Sequence, residues 1–213
     1  MTPTNAAMTA SQRLQLSGFI VALLLVVVAV YYLTAERIAD ARLDSQRAVL
    51  AEVFPAALHD NDLLASAITL DKNYVQLELL QLSMPRIAYR ATLGARPAGV
   101  ILPLEAPDGY GGVIVMHVGI KVDGTLTGVR VLQHNETAGL GDKIDLVISP
   151  WIHSFDNRSL DDTPDVLWHI KQDGGDFDQF VGATVTPRAV VAAVHNALLF
   201  FDANQSLLLG GTP

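Results

Sequence analysis

The chain has 213 residues, room for one domain of ordinary size or a smaller domain with an appendage. Half the residues are hydrophobic and 17% are charged, which excludes intrinsic disorder, and the net charge of −8 lacks the basic footprint a nucleic-acid binder needs. Cysteine is absent, so disulfides, thiolate catalysis, Cys-held zinc and iron–sulfur clusters are excluded in this chain.

The apolar excess has one obvious source. Between Arg13 and Glu36 no residue is charged, and Gly18 to Leu33 is an almost wholly apolar run. About 20 residues at 1.5 Å rise each cross the hydrocarbon layer as a helix, which satisfies its own backbone groups in lipid. Tyr31 and Tyr32 suit an interfacial belt. A cleaved signal peptide is the rival reading, but the run ends Tyr-Tyr-Leu-Thr-Ala-Glu rather than in an A-x-A-like site. The sequence thus predicts a short N-terminal tail over 1–13 and a transmembrane helix over 14–35. Arg37, Arg42 and Arg47 after the span outnumber Arg13 before it, so the arginine count does not favour an N-in orientation. All 22 acidic residues follow the span, which makes the body acidic.

Residues 36–85 read as a helical stalk with connecting helices: Ile38, Leu43, Leu50 and Phe54 are mixed with charges, and Pro55 falls near the first stop. From Ile87 the period becomes that of strands. Ile87–Leu93 and Val100–Leu104 read as two strands about a Gly-Ala-Arg-Pro-Ala-Gly turn, with Pro103 marking an edge or an early strand end. After Gly109-Tyr110-Gly111-Gly112 comes the long run Val113–Val122, then Asp123-Gly124, a strong hairpin signal. The return strand is Leu126–Leu132, with Thr127, Val129 and Val131 expected on one face. Three or four antiparallel strands with helices around them make an α+β domain. A last helix is marked by Thr186 as N-cap and Pro187 at its first position. Val190, Val191, Val194, Ala197, Leu198 and Phe201 form its apolar stripe, and Asp202-Ala203-Asn204 ends it.

The usual catalytic motifs are absent from the sequence: there is no G-x-S-x-G, H-E-x-x-H or G-x-x-x-x-G-K-[ST]. The six histidines show no helical metal spacing, so no catalytic or metal-ligating residue is assigned. His117 reads as a packed or surface strand residue. Two segments remain. In His134-Asn135-Glu136-Thr137-Ala138-Gly139-Leu140-Gly141, polar side chains precede two glycines that let backbone approach a ligand, though a plain loop reads the same way. In Asp178-Gln179-Phe180-Val181-Gly182-Ala183-Thr184-Val185-Thr186-Pro187, Gly182 and Ala183 clear space before Thr184 at the start of a helix. Free backbone N–H groups and the helix dipole there favour an anion.

Together the two segments resemble a known pair of motifs. The run from Asp178 through Gly182-Ala183-Thr184 is similar to the flavinylation motif of electron-transfer subunits with covalent FMN. The segment from His134 to Gly141 resembles their H-x-E-T-P-G-L-G motif. The chain resembles the G subunits of the Rnf/Rsx ion-translocating electron transport complex, whose siblings are the C subunits of sodium-pumping NADH:quinone reductase. The likeness covers nearly the whole length, with two departures: Val181 stands where Ser or Thr is usual, and Ala138 where Pro is usual.

The resemblance implies an α+β fold, with a single N-terminal transmembrane helix followed by an antiparallel-sheet FMN-binding domain with flanking helices. That domain is expected over 86–205, with a C-terminal tail over 206–213. It implies FMN joined to Thr184 through a phosphoester, installed by a flavin transferase from FAD with magnesium. Asp178, Gly182 and Ala183 would form the motif around it, and Glu136, Thr137, Gly139, Leu140 and Gly141 would line the flavin pocket. It further implies an electron-transfer subunit of a translocase, without substrate chemistry of its own. The other complex subunits would be its partners, and the domain would face the periplasmic side of a bacterial inner membrane. The alternative kept from a different class is a single-pass structural or noncovalent flavin-binding module of a membrane complex.

Overall fold

A computed structural model describes residues 10–83 and 87–211, and it divides into two compact units, Met1–Gln46 and Arg47–Pro213. Residues 1–9 of the expected tail, and 212–213 at the other end, lie outside the described residues.

In the first unit the chain is helical from Ala10, and this helix, α1, runs on to Val53 in the second. The expected span and the first part of the stalk are therefore one uninterrupted helix. Within the run, Phe19 is 67% exposed and Leu25 64%, and the described apolar side chains from Phe19 to Leu33 are exposed. Among the described residues it is the one helix long and apolar enough to cross a membrane.

The second unit is built on a five-stranded antiparallel meander in the order β1-β2-β3-β4-β5. The strands are β1 Ala67–Thr69, β2 Ile87–Leu93, β3 Arg96–Ala106, β4 Ile114–Lys121 and β5 Leu126–Gln133. The sheet thus gains one short strand, β1, over the number expected. The turn between β2 and β3 is tighter than expected: Gly94 (φ 56°) and Ala95 (φ 61°) alone make it, both left-handed, and Arg96 already pairs with Leu93. Pro103 lies within β3 rather than near its end. It is tolerated because β3 pairs with β2 no further than Ile101, so the missing N–H has no ladder partner to lose on that side.

The sheet's two faces carry separate cores. On one, Val100, Leu102, Leu104, Met116, Val118 and Val129 pack with helix α2, Val185–Leu208. On the other, Leu50 and Val53 from the end of α1 and Phe54 just after it pack with Leu63, Ala91 and Ile101. A register shift in the β4–β5 pair between Gly119 and Ile120 splits the expected face of the return strand: Val129 and Val131 stay on the α2-side core, while the Thr127 hydroxyl donates to Val53 O (2.6 Å) on the opposite face. Small residues make room for α1 there, since a Cβ on Gly99 would overlap the Phe54 ring.

The helical reading of 36–85 fails beyond Val53. From Pro55 to Leu82 the chain has only short 3₁₀ turns and β1. Besides these local turns, the segment is tied to the sheet: Asp60 N–H donates to Thr92 O, and the Asn61 side chain bonds Arg90 O and Thr92 N–H. Tertiary contacts outcompete helical propensity here. Residues 47–83 therefore belong to the sheet's unit.

Helix α2 also differs at both ends. Thr186 is its second residue and caps nothing, and the helix runs through Asp202-Ala203-Asn204 to Leu208. The Asn204 amide donates to Phe200 O within the helix and to Val75 O outside it, which satisfies a residue that would otherwise favour a stop.

Candidate functional site

The loop after β5 and the loop before α2 meet in one cleft of about 290 Å³. Glu136, Thr137, Leu140 and Gly141 line one wall, and Gly182, Ala183, Thr184, Val185 and Thr186 the other, with Tyr110 at the edge.

The first wall is built around a buried carboxylate. Glu136 is 8% exposed. Its Oε1 accepts from the Gly111 N–H (2.9 Å), and its Oε2 accepts from the Thr186 hydroxyl. One side chain so joins the Gly109–Gly112 turn, its own loop and the first turn of α2. Glycine is required around it. A Cβ on Gly141 would sit 2.8 Å from both Glu136 Oε2 and Thr186 Oγ1, and one on Gly109 2.8 Å from Glu136 Oε1. The loop then closes on itself: Thr137 O accepts from Leu140 N–H (3.1 Å) and Gly141 N–H (3.0 Å). Gly139, at φ 77°, donates its N–H to Asp142 Oδ2 (2.9 Å). Gly139 shapes that turn but does not line the cleft.

The second wall hangs from an aromatic cluster. Trp151 meets Phe180 edge-on at 5.0 Å, and Phe155 stacks on Phe177 at 4.8 Å. The Trp151 indole N–H donates to Asp178 O (2.8 Å). The Asp178 carboxylate turns away to Lys171 (2.6 Å), so this residue anchors the loop and stays out of the cleft. Gly182, at φ 81°, makes the turn, and Ala183 N–H returns to Phe180 O (3.1 Å). Val181 is 90% exposed at the tip.

Thr184 occupies the N-cap position of α2 but makes no side-chain cap bond, and among the described residues its hydroxyl has no hydrogen-bond partner. The N–H groups of Thr184, Val185 and Thr186 are likewise unpaired among the described residues, and Pro187 has none to pair. Among the described residues neither Lys nor Arg lines the cleft. Arg188 is engaged by Asp173 (2.6 and 3.0 Å), a bond that raises the guanidinium pKa and lowers that of the carboxyl. An anion in the cleft would therefore rest on the α2 backbone donors and dipole.

Of the residues expected at the site, Glu136, Thr137, Leu140, Gly141, Gly182, Ala183 and Thr184 come together; Gly139 and Asp178 support them from behind. Tyr110, Val185 and Thr186 also line the cleft and were not assigned from sequence. The Gly-Tyr-Gly-Gly turn was the available signal for Tyr110. For Thr186 the signal was misleading, because a threonine before proline reads as a cap.

The family model described as FMN-binding domain matches residues 109–199, which contain both walls. The G subunit of the ion-translocating oxidoreductase complex of Pseudomonas aeruginosa (strain UCBPP-PA14) is 50% identical, over 83% of this chain and 80% of its own length. The protein of the same name from Vibrio atlanticus is 44% identical over 84% and 83%, and that from Shewanella baltica 42% over 89% and 90%. The crystal structure of Shewanella oneidensis NqrC aligns over 72% of each chain at 20% identity, with a TM-score of 0.46. The chain belongs to the family of G subunits of the ion-translocating oxidoreductase complex.

Proposed function

We propose that this protein is a membrane-anchored flavoprotein that relays electrons through FMN attached to Thr184 by a phosphoester, within an ion-translocating electron transport complex. The observation that carries the reading is the unbonded Thr184 hydroxyl beside three unpaired N–H groups at the start of α2. A phosphodiester keeps one negative charge, and those donors with the helix dipole match it where no Lys or Arg does.

The residues present fit the group. Gly182 and Ala183 put no bulky side chain beside Thr184, Leu140 offers an apolar surface, and Glu136 and Gly141 belong to the other wall. Ligand clefts span roughly 300–1,000 Å³, so this one sits at the small end and leaves part of a flavin exposed. Exposure suits a carrier that must pass electrons to other subunits. The bound flavin supplies the redox chemistry, and the chain holds and tunes it.

Thr184 has no histidine or acid bonded to its hydroxyl, so the protein does not activate it alone. FAD would be the second reactant, with a flavin transferase and magnesium as the catalyst. Thr184 Oγ1 would bond the FMN-side phosphorus as the phosphoanhydride breaks, AMP would leave, and the hydroxyl proton would pass to the transferase. Val181 projects into solvent, so its departure from Ser or Thr alters a surface the transferase would read rather than the cleft.

Residues 14–35 are the anchor in this reading. The exposed apolar side chains from Phe19 to Leu33 are accounted for by lipid. The flavin domain lies on the periplasmic side of a bacterial inner membrane. A reporter fused at the C-terminus tests that: activity confined to the cytoplasm contradicts it. In-gel fluorescence tests the attachment. The denatured chain should fluoresce yellow after co-expression with the transferase, and a dark band contradicts the reading.

A further inference from the structure

Two threonines line the second wall two residues apart, and the fold treats them oppositely. The Thr186 hydroxyl is fully buried and donates to Glu136, while the Thr184 hydroxyl is unbonded. Glu136 is also the sole carboxylate among the residues lining the cleft. Its second oxygen holds Gly111, and Gly109 and Gly141 are the small residues that admit it. This is a built arrangement, because the conformation that seats Glu136 leaves no room for a side chain on either glycine.

We infer that Glu136 is a positioning residue that selects the attachment hydroxyl: it withdraws Thr186 from the cleft, fixes the start of α2 against the Gly109–Gly112 turn, and leaves Thr184 presented. This rests on the covalent-attachment reading. A second consequence is electrostatic. Reduction adds negative charge to a flavin, and a fixed carboxylate on the cleft wall opposes that. Glu136 therefore holds the midpoint potential of the bound flavin low.

Two substitutions separate geometry from charge. In Glu136→Gln the amide oxygen accepts from Gly111 N–H and the amide nitrogen donates to Thr186, so the shape survives without the charge. In Glu136→Ala both bonds are lost. Full-length wild type and both variants are co-expressed with the flavin transferase and purified in detergent. Each is mapped by mass spectrometry, and its flavin midpoint potential is measured. Wild type should carry the adduct on Thr184. Glu136→Gln should keep it within about twofold of the wild-type yield and shift the potential upward, a change that a merely structural side chain would not cause. Glu136→Ala should lose at least about tenfold of the yield, or spread the adduct to Thr186. A wild-type yield on Thr184 alone in Glu136→Ala overturns the selecting role. An unshifted potential in Glu136→Gln overturns the electrostatic one without needing the alanine variant to fold. If wild type itself carries no adduct on Thr184, the attachment reading falls and this inference falls with it.

Discussion

The two walls of the cleft are made of similar residues and do opposite things. On the Glu136 wall the buried carboxylate is spent on structure: it takes two donors, and glycines close around it. On the Thr184 wall the polar groups are left over: a hydroxyl and three N–H groups are unpaired among the described residues. The first N–H groups of a helix have no intrahelical partner, and where they border a cleft they offer an anion a ready set of donors. The difference separates residues that build the site from the residue that is used.

Substitutions can break this contrast. Glu136→Ala should cost the most stability, about 3 kcal/mol, because Gly111 N–H and Thr186 O–H lose their acceptor together. Denaturant unfolding of the detergent-purified chain reads it, and a loss below about 1 kcal/mol would show that the first wall is not structural. Gly141→Ala should cost about 2 kcal/mol by pushing a Cβ against Glu136 and Thr186, and the same measurement checks it.

His117 offers a control in the sheet, away from both walls. It packs against Tyr89 at 6.1 Å, and burial lowers its pKa from the usual 6.5 to about 4. Its contribution is fully present above pH 6.5, falls as the unfolded chain takes up a proton that the fold refuses, and is lost by about pH 4. The stability of wild type relative to His117→Leu should therefore drop by about 2–3 kcal/mol between those limits. The flavin yield should not change with that substitution. Smallest of all is Val181→Ser, which should alter stability by less than about 0.5 kcal/mol, since the side chain touches little. If the transferase reads that position, the serine variant should be flavinylated at least as fast as wild type.

Local chemistry made much of this visible in the sequence. Asp123-Gly124 marked its hairpin, the apolar run marked α1, and the Gly-rich and Gly-Ala-Thr segments marked both walls. What stayed hidden depends on distant partners. Thr186 looked like a helix cap because Pro187 follows it; only the fold brings up Glu136, fifty positions away, to claim its hydroxyl. Residues 55–82 looked like a continuation of the stalk, but short turns hold their backbone locally, and Asp60, Asn61 and β1 tie the segment to β2. Asp178 sits in the motif yet points away, because Lys171 and Trp151 are its partners.

The central claim is that the unspent hydroxyl is the one used. Peptide mapping of the full-length chain, co-expressed with the flavin transferase, tests it most directly. The tryptic peptide containing Thr184 should gain the mass of FMN less one water, with fragment ions placing it on Thr184, and Thr184→Ala should abolish the gain while leaving the unfolding midpoint unchanged. An unmodified wild-type peptide, or an adduct that survives in Thr184→Ala, would contradict the account.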